Sequence, residues 1–577
     1  MTKADLILEN GKVYSFSVDG SRQDGTAVVV ANGKILDVCG DAKALQYGGE
    51  DTEIIDCGGN TILPGLSDAH AHPSSAASIF ESCQLFDITG ESHQSSQMVI
   101  DRYLKRLKTY IASHQEEQVI RATGWNRAFF SGACKDPKWP DRHDLDKLCA
   151  DRPIVMESYC QHAMWVNTKA LELAGISEKT PDPMSGAIQR DESGHPTGIL
   201  IDLEALNLIK ENLPGYDFSV PQYKNTILRY QDEEALPYGV TLLHDCMHTE
   251  NAKIAYKELA TEGKLKVRVR GVHPFSNCRH LEELDQIKEQ AGSDRINDTF
   301  DIQTIKIFLE GEFAMIEPYE AEHIREHGLP SRYDGELFYT DKEAEQAIVK
   351  AAELGLQIHI HAMGDKAVKQ AVDCLISAQN QTGTANRNTI AHLTMVRDED
   401  MTRMAENHII CNCQPRWMIN DSDTAEYYTS CFGKKRAMAA YPHKRLIDAG
   451  CLVAYGTDFP VTPPPNPFHE IQCALTRSVF PEDAEEYKVY QGTMLGPADD
   501  PDRDCVSMDE AIKGLTCNAA YQLFLENITG SIEKGKSAEL VVLDRDLEKT
   551  AAQEIYKTQV VLTVFKGDIV YCETPQE

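Results

Sequence analysis

The 577-residue chain is long enough to bury a large core and to hold more than one domain. Its 90 Asp and Glu against 57 Lys and Arg give a net charge of -33, which argues against nucleic acid or anionic membrane as a partner and favours solubility. The 17 cysteines are scattered and form no C-x-x-C pair, so buried reduced thiols are expected rather than a disulfide framework, and a soft-metal reading of Cys411 to Gln414 (CNCQ) ranks below that. No apolar run has the length of a signal peptide core or a membrane span, and a cytoplasmic protein is expected.

Residues 1 to about 60 read as short strands with turns at Asn10-Gly11 and Asn32-Gly33. A matching pattern returns in SAELVVLDRD and VVLTVFKGDIVYCE at the far end. Two β-rich tracts too small to stand alone are expected to pair into one sandwich, built from residues 1–60 and 530–577. Thr61 to Pro73, TILPGLSDAHAHP, is an apolar run, a Pro-Gly turn and then His70 and His72 two residues apart. Alternate residues of a strand share a side, so both imidazoles face one space, and Asp68 has the same parity. Two converging neutral imidazoles are half of a first-row metal site, although a bare H-x-H is common.

A mixed helical region with a turn-dense loop at TPDPMSGAIQRDESGHPTG occupies about 74–235 and reads as an insertion. From there, apolar runs alternate with helical segments: VTLLHD, VRVRGVH, IQTIKIFLEG, LQIHIHAMGD, NTIAHL, HIICNCQP and CLVAYGTD. That alternation predicts an α/β chain with a parallel sheet closing into a (β/α)8 barrel over 61–529. Chemistry in such a barrel collects at the C-terminal ends of the strands. There the sequence places His70, His72, Lys306, His359, His361, His392 and Asp458, nearly all of them potential metal ligands. Of His359 and His361, which share strand parity, His361 is the preferred ligand. A core histidine is the plain alternative for His392, and a helix N-cap for Asp458. Lys306, a lone cation in TIKIF, either pairs with a carboxylate such as Glu310 or is carboxylated by carbon dioxide and bridges two metals.

These residues in this order resemble the amidohydrolase superfamily, and within it the amidohydrolase-3 group of YtcJ-like proteins and N-substituted formamide deformylases. The landmarks are LPGLSDAHAH, GWN at 124–126, QHAMWVNTKALELAGI, KIFLEG, HIHAMGDKAV, IAHLTMV, QPRWM, YGTDFPVTPPPNPF and GSIEKGKSAELVVLD. The resemblance implies a distorted (β/α)8 barrel, a β-sandwich from both termini, and one or two divalent ions, usually zinc. By position it implies His70, His72, Lys306, His361, His392 and Asp458 as metal residues, Asp458 as the catalytic aspartate, Lys306 as a lysine that some members carboxylate, and His162 as a histidine facing the substrate. The chain departs from the group's pattern at Glu310 (KIFLEG for K-x-x-x-D-G), at EFAMIEPY after it, and at Ala391 before His392.

The expected chemistry is hydrolysis of an amide-type C–N bond of a small molecule, with Asp458 as general base and His162 donating to the oxyanion. Deamination of a ring amine uses nearly the same site and stays open. A non-catalytic scaffold relative is the reading from another class, and the intact ligand set argues against it. Carboxylation of Lys306 is favoured over a Glu310 pair, and a homodimer is the default for this size.

Overall fold

The computed structural model describes the chain except for residues 1, 89, 91–93, 132–137, 160–161, 184–185, 276, 295, 312, 322–333, 419–427, 479, 481–503 and 574–577. The sequence places segments 74–235 and 312–335 along the cleft, and parts of both lie outside the described residues. Eight strands form one sheet in sequence order: Leu66–Ala71 (β1), Val240–Asp245 (β2), Arg268–Pro274 (β3), Phe300–Phe308 (β4), Gln357–Ala362 (β5), Thr389–His392 (β6), Ile410–Cys413 (β7) and Val453–Tyr455 (β8). Every neighbouring pair is parallel. The first and last strands meet as well. Asp458 N donates to His70 O at 2.8 Å, and His72 N donates to Phe459 O at 2.7 Å. Gly456 permits this seam, since a β-carbon there would lie 2.4 Å from the His70 nitrogen.

The strands sort their side chains by parity. Ile305 and Ile307 of β4, and Ile358 and Ile360 of β5, are buried in the main hydrophobic core. Lys306, His359 and His361, which alternate with them, therefore face the barrel interior. The helix Asp341–Glu353, between β4 and β5, begins with a capping box of Thr340 and Glu343 and buries Ala344, Ala347, Ile348 and Ala351 on one face. It packs against the following helix Asp365–Thr382, so the outer layer is helix on sheet, as in a (β/α)8 barrel.

Both ends of the chain join in the second architecture. Leu6–Glu9, Ala27–Ala31, Lys34–Cys39 and Glu53–Asp56 make a four-stranded sheet. Lys12–Val13 and Thr61–Pro64 pair with the C-terminal strands Leu540–Leu543, Val560–Phe565 and Asp568–Cys572 in a five-stranded one. Leu6, Leu8, Val28 and Val30 of the first sheet share a core with Ile62, Leu540, Val542 and Val564 of the second. A buried ion pair ties this sandwich to the barrel: Arg268 Nε of β3 lies 2.8 Å from Glu539 Oε1. Between β1 and β2 the chain builds a third, six-stranded sheet from Cys83–Gln84 to Pro196–Ile201, with a core of its own around Trp125 and Trp165.

Candidate metal centre

The ends of β1, β4, β5, β6 and β8 bring His70, His72, Lys306, His359, His361, His392 and Asp458 into one buried cluster. His70 Nε2 is 3.3 Å from Asp458 Oδ1 and 3.2 Å from Lys306 Nζ, and His72 Nε2 is 3.0 Å from the same Asp458 oxygen. The His392 ring lies 4.8 Å from that of His70 and 4.5 Å from that of His361, centre to centre. Two of these residues hold unusual backbone. His392 (φ 79) and Asp458 (φ 57) sit in the left-handed region, a strained conformation that functional residues often adopt.

The protonation states suit a cation. Burial first, and the charge of Lys306 among the lesser causes, holds His70, His359, His361 and His392 well below the ordinary imidazole value. Each is thus neutral at pH 7, with one ring nitrogen free to donate a lone pair. For Asp458, burial works upward, and the His72 hydrogen bond with nearby positive charge outweighs it, leaving a carboxylate below its usual range. Burial lowers Lys306, while the neighbouring Cys246 and Asp458 pull it back up.

Hydrogen bonds fix the tautomer of His392. Asn412 Nδ2 donates to the Ala69 carbonyl at 3.0 Å, a partner that can only accept. Asn412 Oδ1 then accepts from Gln414 Nε2 at 2.9 Å, which leaves Gln414 Oε1 to accept from His392 Nδ1 at 2.9 Å. His392 Nε2 keeps its lone pair, and the ring stacks on Trp417 at 5.1 Å. His70 Nδ1 is likewise engaged, 2.9 Å from His359 Nε2. The His361 Nε2 and His72 Nδ1 atoms are buried without a hydrogen-bond partner among the described residues. Unpartnered buried imidazole nitrogens beside one carboxylate fit a divalent ion of the zinc type. One candidate donor set is His70, His72 and Asp458, whose ligand atoms lie within 4.8 Å of one another.

One sequence expectation changes, and two of the lower-ranked alternatives fall away. Asp68 has the parity of the histidines but is taken up by β8: its oxygens accept from Thr457 N at 2.9 Å and Thr457 Oγ1 at 2.6 Å. Glu310 does not pair with Lys306. Its carboxylate accepts from the backbone nitrogens of Ala314, Met363 and Gly364, clamping the loops that follow β4 and β5. Cys411 and Cys413 face the outer core, so of CNCQ it is Asn412 and Gln414 that point inward. His162 is half-buried, with Nδ1 3.2 Å from Asp202 Oδ1. Sequence reasoning missed the Asn412–Gln414 relay and also His244 and Cys246. His244 stands near the end of VTLLHD, a run whose terminal residues carried the same strand-end signal, and Cys246 directly follows that run.

A cavity of about 520 Å³ opens beside Lys306 and Phe308. Phe218, Tyr223, Phe275 and Tyr339 line it, with Glu157 and Lys210 contributed by the region between β1 and β2.

A (β/α)8 barrel with this cluster at the C-terminal ends of its strands has the layout of an enzyme, its polar groups gathered where such barrels carry out their chemistry. The chain matches the pattern of the amidohydrolase family (Amidohydro_3) over residues 53–571 and belongs to that family. YtcJ of Bacillus subtilis (strain 168), assigned to the amidohydrolases, is 27% identical over 98% of this chain and 99% of its own. The N-substituted formamide deformylase of Arthrobacter pascens is 26% identical, over 99% of each chain. A metal-dependent hydrolase of uncharacterized function from Pyrococcus horikoshii OT3 shares the fold, with a TM-score of 0.71 at 24% identity, covering 95% of this chain and 99% of that one.

Proposed function

We propose that the protein hydrolyses an amide-type C–N bond of a small molecule at a centre of one or two divalent ions, zinc first among them. The observation that carries the reading is the convergence of His70, His72, His361, His392 and the Asp458 carboxylate around one point. A divalent ion held by these residues would act as a Lewis acid on the scissile carbonyl and on water. Lys306 would join them as a carboxylated ligand: burial lowers its pKa and so raises the share of the neutral amine, the form that combines with carbon dioxide.

The chain's own groups carry the proton. Asp458 accepts it as the water oxygen adds to the carbonyl carbon, and returns it to the nitrogen as the C–N bond breaks. Two histidines hold Asp458 in place, with His72 Nε2 at 3.0 Å and His70 Nε2 at 3.3 Å. His162, held by Asp202, would donate to the developing oxyanion. The substrate's substituent would occupy the 520 Å³ cavity, whose aromatic lining favours an apolar group. The relation to the Arthrobacter deformylase makes N-substituted formamides the first substrates to test.

The test is incubation of the zinc-loaded protein with a panel of N-substituted formamides, N-acyl amines and ring amines. Formate or carboxylate release, abolished in Asp458→Asn, supports the proposal. Ammonia from the ring amines alone would convert the reading to a deaminase, and no turnover of any class would reject it.

A further inference from the structure

Cys246 follows β2 directly, and its backbone nitrogen donates to Ala71 O at 2.8 Å, which sets it level with the H-x-H segment. The preceding Asp245 turns elsewhere, accepting from Ser74 N at 3.1 Å and Tyr256 Oη at 2.8 Å. Cys246 is fully buried, and its ligand atom lies with those of His70 and His359 within 4.8 Å of one another. This donor set shares His70 with the set of His72 and Asp458. Two further nitrogens beside it are buried and lack a hydrogen-bond partner among the described residues: His359 Nδ1 and His244 Nε2. The His244 and His359 rings meet edge to face at 5.1 Å. A protein interior rarely leaves such donors idle unless something else binds them.

We propose that Cys246 is a sulfur ligand of the metal centre, completing with His70 and His359 a position beside that of His70, His72 and Asp458. The proposal rests on the metal-centre reading above. Charge gives the reason for a thiolate. Of the carboxylates at or near these strand ends, Asp458 is available, whereas Asp68, Glu310 and Asp245 are committed to Thr457, to backbone nitrogens, and to Ser74 N with Tyr256 Oη. A coordinated thiol loses its proton and so adds an anionic donor beside the neutral imidazoles. A soft sulfur beside imidazoles also favours zinc, cobalt or cadmium over magnesium or calcium.

Cobalt(II)-loaded protein tests this without reference to turnover. The expected result is a sulfur-to-cobalt charge-transfer band in the near ultraviolet, lost in Cys246→Ser and retained in Cys413→Ser, whose sulfur lies in the outer core. Elemental analysis in parallel is expected to show a lower cobalt content for Cys246→Ser. Fully loaded wild type without the band overturns the proposal and leaves the hydrolase reading intact, as does a band that survives in Cys246→Ser. If Cys246→Ser fails to fold, Cys246→Ala takes its place, with the same loss of the band expected and its survival overturning the proposal. Failure of wild type to bind cobalt at all removes the centre, and this proposal with it.

Discussion

Gln414 Oε1 lies 2.9 Å from His392 Nδ1, and the Ala69 carbonyl, two residues removed through Asn412, dictates which way that amide faces. The hydrogen-bond direction is therefore set by β1, the strand that also presents His70. Outer partners of this kind orient a ligand and raise its basicity.

Gln414→Leu is expected to weaken metal retention by roughly 10–100-fold, the range seen when such outer partners are removed. Titration with a competing chelator measures it. Gln414→Glu keeps an acceptor for His392 Nδ1 and is expected to recover most of the affinity. Equal affinity in wild type and Gln414→Leu would mean that His392 is not a ligand.

Glu310 gives a pH signature. Burial pushes its carboxyl from 4.5 up to about 8, against the pull of three backbone N–H groups. Between those values the folded chain holds a proton that the unfolded chain has released, so stability falls as pH rises through that window. Glu310→Gln carries no such slope. Denaturant midpoints from pH 5 to pH 8.5 are expected to show the variant gaining on wild type as pH rises; a gap that stays constant or moves the other way contradicts the burial account.

Thr457→Val removes the hydroxyl that donates to Asp68 Oδ2 at 2.6 Å, at the seam between β1 and β8. The buried carboxylate keeps the N–H groups of Thr457 at 2.9 Å and His70 at 3.4 Å on Oδ1 but loses the hydroxyl on Oδ2. The expected cost is about 1–3 kcal/mol of stability, read from chemical denaturation. A change near zero would show that the seam does not depend on this contact.

Parity read from LSDAHAHP, KIFLEG and HIHAMGD was enough to turn His70, His72, Lys306, His359 and His361 inward, because the period of a strand is local. Parity does not say what an inward group meets. Asp68 meets Thr457, 389 residues away, through barrel closure, and no local pattern encodes that. Glu310 was legible as a departure from the family pattern, but its three N–H partners lie on two separate loops. Cys246 lies one residue past VTLLHD, and a single cysteine after an apolar run carries no pattern that marks it as a ligand.

Deleting residues 535–577 takes away the strand Leu540–Leu543, whose Val541 and Val542 pair with Leu63 and Ile62. Hydrogen exchange of Thr61–Pro64 is expected to accelerate toward the unprotected rate, since that strand would keep only its partner Lys12–Val13. Unchanged protection would show that the N-terminal strands stand without the C-terminal ones.

The most direct test is the metal content of the purified protein and of the His70→Ala, His72→Ala double variant by elemental analysis. The account predicts one or two zinc-type ions per wild-type chain and a loss of bound metal in the variant, with its barrel still folded by circular dichroism. Metal retained in full by the double variant, or none in the wild type after zinc loading, would contradict it.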